Sequence, residues 1–190
     1  TIHVYGEGDF KVESTTKPKD PYGLTHDFSE QILNYFKRKL KLVCINIRLP
    51  NSYGEPKIKN EHCWKLIINS LVLSAYTKKI LVLESDGTSS RRFIHYKQIC
   101  SRIESIIKDK IKIDGDYTYF GPKDSISMIE LSILIKKIYF QRYKLNIPIY
   151  INGNQLYLEK SQKSSSKKTY LKMRESLEKG INDLFEHLEK

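Results

Sequence analysis

Helical and strand-like apolar patterns alternate along the 190-residue chain, and this alternation limits its fold more than any other feature. Residues 22–39 place apolar side chains three or four positions apart, which predicts an amphipathic helix. Residues 41–47 (KLVCINI) follow as a short, mostly apolar run, typical of a strand covered on both faces of a sheet. A helix leading directly into a buried strand predicts an α/β fold.

The same alternation continues to the end of the chain. Further helices are predicted over 61–76, 97–109, 125–143 and 170–190, and further strands over 79–84, 92–95, 117–120 and 147–151. Residues 1–6 are predicted to be the tail of a buried strand, and the Lys- and Ser-rich residues 160–168 a linker. This order of elements indicates part of a parallel sheet with a smaller mixed lobe.

Charge and composition exclude several classes of partner. The net charge is +11, but only seven of the 33 basic residues are Arg, and scattered Lys is typical of a solvated surface, so we expect no nucleic-acid partner. A phosphate-bearing small ligand remains compatible with the charge. No apolar run approaches the roughly 18 residues that a membrane span needs. The three cysteines are irregularly spaced, which predicts reduced thiols, no metal site and a cytoplasmic location.

Four short motifs follow one another along the first half of the chain. They are Thr1-x-x-Val4-Tyr5-Gly6, then Pro21-Tyr22-Gly23-Leu24-Thr25-His26 with Glu30, then Arg48-x-x-Asn51-x-Tyr53-Gly54-x-Pro56, then Gly87-x-x-x-Arg91-x-Phe93-Ile94-His95. In order and spacing they resemble the NAD-dependent epimerase/dehydratase family of extended short-chain dehydrogenases. The resemblance corresponds to the rear part of such enzymes, because the sequence contains no glycine-rich strand-to-helix turn.

The resemblance implies an architecture and a set of partners. It implies the rear part of a Rossmann-like doubly wound parallel sheet, with a smaller mixed α/β substrate-binding lobe. Residues 1–56 would form the Rossmann-like segment with the catalytic-type helix, and residues 57–190 mainly the sugar-nucleotide lobe and the C-terminal helix, interleaved with that segment. The implied cofactor is NAD or NADP and the implied substrate a nucleotide-linked sugar. The implied protein partner is a second copy in a homodimer, or an N-terminal half.

The resemblance assigns the family's proton-transfer roles to individual residues of this chain. Tyr22 matches the family's catalytic tyrosine, and His26 stands where the family has the lysine that lowers the tyrosine pKa and binds the nicotinamide ribose. Thr1 matches the Ser/Thr that hydrogen-bonds the reacting hydroxyl. The resemblance therefore implies catalytic roles for Thr1, Tyr22 and His26, with cofactor contacts from Tyr22 and His26.

Two further residues match substrate-binding positions. Asn51 matches an asparagine that lines the substrate pocket, although Asn-x-Tyr-Gly is equally typical of a tight turn. Arg91 matches an arginine that clamps the diphosphate, for which a planar guanidinium is well suited. Ile2 and His3 replace the acidic pair of the dehydratases, which favours an epimerase or reductase. The alternative is a non-catalytic relative that binds a nucleotide sugar or a partner protein.

Overall fold

The computed structural model describes residues 1–6, 14–57, 61–108, 115–156 and 168–190. Its α-helices are α1 Pro21–Leu40, α2 Ile67–Lys78, α3 Tyr96–Ile107, α4 Met128–Tyr143 and α5 Lys168–Leu188. Its strands are β1 Asn46–Arg48, β2 Asn51–Tyr53, β3 Leu81–Leu83, β4 Ser90–Arg91, β5 Phe93–His95, β6 Tyr117–Tyr119, β7 Ile126–Ser127, β8 Ile149–Ile151 and β9 Asn154–Gln155. Short 3-10 helices span Ile2–Tyr5 and Glu61–Lys65. The predicted α/β class is confirmed.

The chain divides into two compact units. Unit 1 comprises residues 1–50 and 99–121, and unit 2 comprises residues 51–98 and 122–190. The predicted boundary after residue 56 stays a prediction. None of the described helices combines the length and the apolar character that a bilayer crossing requires.

Unit 1 is built around one parallel strand pair and α1. Strand β1 pairs with β6, with Asn46 opposite Tyr117. The predicted strand over 41–47 is wrong in its first part, because pairing with β6 begins only at Asn46, and Val43 is fully exposed rather than covered on both faces. Residues 2–5 form a 3-10 helix and not the predicted strand tail. The Ile2 N–H donates to Leu49 O, a single bond that does not make a ladder.

Unit 2 contains the main apolar core. Strands β2 and β5 are parallel, as are β3 and β8, while β4 pairs with β7 and β8 with β9 in antiparallel fashion. Helices α2, α4 and α5 pack together over fully buried side chains such as Val72, Ile135 and Leu184. Their apolar residues recur at helical spacing, so each helix buries a continuous stripe. The predicted linker lies outside the described residues, except for residue 168.

Candidate functional site

Helix α1 begins at the residues that carry the second sequence motif. Asp20 caps the helix, and its Oδ1 accepts a hydrogen bond of 2.6 Å from the Gly23 N–H. Pro21 occupies the first helical position, where its missing N–H costs nothing. The cap therefore fixes the first turn, and Tyr22 stands in that turn with 56% of its surface exposed. The backbone at Tyr22 is therefore held in place, and its exposed side chain is accessible to a ligand.

Two histidine rings lie against Tyr22. The His26 ring, one helical turn further on, has its centroid 4.6 Å from that of Tyr22. The His3 ring meets Tyr22 edge-on, with centroids 5.4 Å apart. The two residues that the family resemblance placed together, Tyr22 and His26, are thus in contact, as the spacing of four residues on one helix face requires.

Asp20 and Gly23 hold His3 beside Tyr22. His3 Nδ1 lies 3.2 Å from Asp20 Oδ2, the carboxylate oxygen that does not accept from Gly23. The hydrogen bond from Gly23, and then the one from His3, lower the pKa of the Asp20 carboxyl. A Cβ at position 23 would lie 2.5 Å from His3 O, so only glycine allows the 3-10 helix this close to α1. Sequence reasoning missed the His3–Asp20 pair, because the two residues are 17 positions apart.

Thr1 caps the 3-10 helix that carries His3. Its hydroxyl accepts a hydrogen bond of 3.3 Å from the His3 N–H. The family resemblance assigns Thr1 to the reacting hydroxyl, whereas the strand tail predicted over residues 1–6 would make it a strand-end residue. The residues that follow, Ile2–Tyr5, are helical, so they do not continue a strand from Thr1. The substrate role stays a prediction.

Asn51 lies in β2 of unit 2. Its side-chain Nδ2 and its backbone N–H both donate to Arg92 O, each at 3.2 Å. These bonds tie β2 to the residue before β5, which is a structural use of the amide. The substrate-pocket role of Asn51 stays a prediction.

Arg91 lines a cavity of about 680 Å³ within unit 2. The cavity lies among α2, β3 and β4, and its polar lining includes Ser70, Ser74, Glu84 and Ser89. Arg91 is exposed on the two-residue strand β4. The volume falls within the range of small-ligand pockets, and a guanidinium at its wall can bind phosphate oxygens in a bidentate manner. The exposed position leaves that guanidinium accessible to an anion.

A second polar cluster in unit 2 surrounds the buried His95. Ligand atoms of Glu55, His95 and Asp183 lie within 4.8 Å of one another, close enough to hold a metal ion. However, the Lys97 ammonium already bridges Glu55 and Asp183, at 2.6 and 2.9 Å. His95 Nδ1 accepts the Lys97 N–H at 3.1 Å, so in the neutral ring Nε2 carries the proton and has no lone pair for a cation. The cluster does not fit a metal ion.

Burial and neighbouring groups set the protonation states of His95 and Glu55 in this cluster. Burial lowers the pKa of His95, which keeps the ring neutral at pH 7. Burial is the largest single influence on Glu55 and would raise its pKa, but the hydrogen bond from Lys97, the backbone hydrogen bond and the nearby positive charge together lower it. Glu55 therefore stays ionised beside a neutral histidine and a lysine. The sequence offered no signal for this cluster, because Asp183 lies 86 residues beyond Lys97.

Comparison with known proteins gives a consistent assignment. A family profile described as the NAD dependent epimerase/dehydratase family matches residues 1–116, which is more than half of the chain.

Solved structures with the same fold cover nearly all of this chain. A UDP-N-acetylglucosamine 4-epimerase from Methanobrevibacter ruminantium M1 matches with a TM-score of 0.68 and 18% identity, over 97% of this chain and 60% of that one. A dTDP-glucose 4,6-dehydratase from Bacillus anthracis str. Ames, in complex with NAD, matches with a TM-score of 0.69 and 20% identity, over 100% and 59%. A UDP-glucuronic acid 4-epimerase from Bacillus cereus, in complex with UDP-glucuronic acid and NAD, matches with a TM-score of 0.68 and 17% identity, over 98% and 60%. The chain spans about 60% of the length of these structures.

Proposed function

The chain belongs to the NAD dependent epimerase/dehydratase family, and from this premise we propose that it acts on a nucleotide-linked sugar by NAD(P)-dependent oxidation and reduction, as an epimerase or reductase. The observation that carries the proposal is Tyr22, exposed in the first turn of α1 with the His26 ring against it. Ile2 and His3, in place of the acidic pair of dehydratases, favour epimerase or reductase chemistry. A cytoplasmic location accompanies this proposal.

The proposed roles follow from the chemistry of each group. Tyr22 exchanges the proton of the reacting hydroxyl, and Thr1 donates a hydrogen bond to the substrate. Arg91 binds the diphosphate and Asn51 the sugar. These residues supply a proton-exchanging hydroxyl, hydrogen-bonding groups and a cationic guanidinium. Oxidation and reduction of a nucleotide-linked sugar need these groups.

Residues of unit 1 can bind one end of the cofactor, the nicotinamide ribose. The Tyr22 hydroxyl and the His26 ring nitrogens can hydrogen-bond ribose hydroxyls, so these two side chains would hold the nicotinamide ribose. NAD or NADP, when bound, supplies a hydride acceptor and donor. Tyr22 then needs only to hold and move a proton, which a phenol can do without redox change. The 190 residues include no glycine-rich turn for the pyrophosphate.

The test compares variants of two residues on one helix. Tyr22→Phe removes the proton-exchanging hydroxyl, so turnover of UDP-N-acetylglucosamine with NAD is expected to fall by about 100-fold or more. Tyr35→Phe is the matched control, because Tyr35 is an equally exposed tyrosine of α1, and its turnover should not change. Equal activity of wild type and Tyr22→Phe would refute the role of Tyr22.

The second candidate function is nucleotide-sugar binding without turnover. His26 supports it, because an imidazole lacks the permanent charge of the lysine that the family has at this position. His26→Lys distinguishes the two: a gain of hydride transfer indicates an enzyme with weakened catalysis, whereas unchanged ligand binding with no turnover supports the binding function.

Binding itself is tested at the cavity in unit 2. Arg91→Gln is expected to weaken UDP binding by about 10-fold to 100-fold, the cost of losing a charge-assisted contact to phosphate. Arg38→Gln, at an exposed position of α1, removes the same charge elsewhere and serves as the control. Calorimetric titration with UDP measures both variants, and equal affinities would contradict the role of Arg91.

The proposed protein partner is a second copy of the chain. Support comes from α1, which exposes large apolar side chains along much of its length: Tyr22, Leu24, Phe28, Ile32, Tyr35, Phe36 and Leu40. Contiguous apolar surface of this kind marks interaction sites. The other candidate partner is a polypeptide that forms the N-terminal half of the family fold and covers part of this surface.

A further inference from the structure

Tyr22 lacks a permanently charged partner on its helix. A phenol has a reference pKa of about 10, so only about 0.1% of an unassisted phenol is ionised at pH 7. The position one turn further on is histidine, which lacks the permanent charge of a lysine. If Tyr22 is to take a proton at neutral pH, another group must accept that proton from it.

The pair formed by Asp20 and His3 has the arrangement of such an acceptor. An ionised carboxylate only accepts hydrogen bonds, so the 3.2 Å contact with Asp20 Oδ2 places the His3 ring proton on Nδ1. Nε2 is then the nitrogen with the free lone pair. The ring is half exposed and packs against the Tyr22 ring in a T-shaped arrangement, with the centroids 5.4 Å apart. A carboxylate that orients an imidazole in this way is a recurring device for proton transfer.

The local backbone is built to hold this pair in place. Asp20 uses one oxygen to cap α1 and the other to hold His3. Gly23 leaves room for the His3 carbonyl, and Thr1 caps the turn that carries His3. The described structure places Asp20 and Tyr22 against the His3 ring, and His26 beyond Tyr22.

We propose that His3, held by Asp20, is a positioning residue that serves as the proton-exchange partner of Tyr22. This inference rests on the proposed function. When the substrate hydroxyl is oxidised, its O–H bond breaks and the proton passes through the Tyr22 hydroxyl to His3 Nε2. NAD or NADP, if bound, would accept the electron pair of the adjacent C–H bond as hydride. The resulting imidazolium faces the Asp20 carboxylate, and the proton returns in the reduction step.

The first test is the tautomer of His3, read by ¹⁵N-edited NMR of the full chain at pH 8. The wild type is expected to carry the proton on Nδ1. In Asp20→Asn the side-chain oxygen can still cap α1, but the amide now donates towards Nδ1, so the proton should move to Nε2. Tyr22→Phe is the control and should leave the tautomer unchanged. A proton on Nε2 in the wild type would overturn the arrangement.

The second test is kinetic and uses UDP-N-acetylglucosamine with NAD. His3→Ala is expected to lower kcat by about 100-fold or more with little change in KM, and added imidazole should restore part of the lost rate. A purely structural role of His3 would give no rescue by imidazole, and this result would overturn the proton step. Absence of turnover in the wild type would refute the proposed function and the proton step with it, while the NMR result still decides the Asp20–His3 arrangement.

Discussion

Replacing Glu30 with alanine should leave a buried arginine in unit 1 without its counter-ion. Arg48 is only 5% exposed. Its Nε and Nη2 donate to the Glu30 carboxylate at 3.0 and 2.7 Å, and its Nη1 donates to the Tyr5 hydroxyl at 2.6 Å. The guanidinium carbon also lies 3.8 Å from the centroid of the Tyr117 ring. Burial alone would lower the pKa of Arg48, but the bonds to Glu30 and Tyr5 raise it above its usual value.

The magnitude follows from what the variant removes and what it leaves. Losing one partner of a buried ion pair costs about 3 to 5 kcal/mol, because the other charge stays desolvated. Tyr5 and Tyr117 remain against the guanidinium, and each such ring contact contributes about 0.5 to 2 kcal/mol. We therefore expect Glu30→Ala to lower the free energy of unfolding by about 3 kcal/mol. In Glu30→Ala/Arg48→Met no unpaired charge remains, so the loss should be smaller than the sum of the single variants.

The assay is urea denaturation of the wild type, both single variants and the double variant. Glu104→Ala is the control, because Glu104 pairs with Lys108 on the exposed surface of α3 and its loss should cost no more than about 0.5 kcal/mol. Two results would refute the reasoning: a loss of under about 1 kcal/mol in Glu30→Ala, or strict additivity in the double variant.

Three further predictions concern unit 2 and the surface of α1. Gly180→Ala should lower the free energy of unfolding by about 1 to 3 kcal/mol in a urea titration, because its Cβ would lie 2.7 Å from atoms of Tyr53 and His95; a neutral effect would contradict this packing. Since burial lowers the pKa of His95, the unfolded state takes up a proton first as the pH falls below about 6.5, so stability should drop between pH 7 and pH 5. His95→Gln should flatten that pH dependence, and an unchanged slope would assign it to other groups. Phe28→Asp with Ile32→Asp should convert a dimer into a monomer by light scattering, whereas an unchanged mass would place the dimer contact elsewhere.

The helices were the part of the fold that local sequence patterns predicted well. The prediction of 22–39 is confirmed by α1, Pro21–Leu40, and that of 170–190 by α5, Lys168–Leu188. The Ser127-x-x-Glu130 spacing in the sequence is that of a capping box, and both of its hydrogen bonds are present at the start of α4. Periodicity and caps act within a few residues, so they are legible without tertiary information.

The strands were less predictable, because a strand exists only where a partner pairs with it. The apolar run 41–47 indicated a strand of seven residues, but β6 pairs with β1 only over Asn46–Arg48. Residues 1–6 have a strand-like composition, but Ile2–Tyr5 within them form a 3-10 helix. The short strands β4 and β7 carry no apolar alternation, and the pairing of Ser90 with Ser127 and Arg91 with Ile126 could not be read from either segment.

For the candidate site, the sequence by itself determined that Tyr22 and His26 share a face of α1 and that the chain carries the motifs of its family, because both are matters of spacing along the chain. Only the tertiary structure decided that His3 stands beside Tyr22 with Asp20 holding its ring, and that Lys97 fills a cluster which otherwise has metal-ligand chemistry. The physical reason is one of distance in sequence. A local pattern specifies the period and ends of an element, whereas contacts between residues 17 or 86 positions apart depend on how closely two backbones approach. At the first of these contacts, that approach depends on the missing side chain of Gly23.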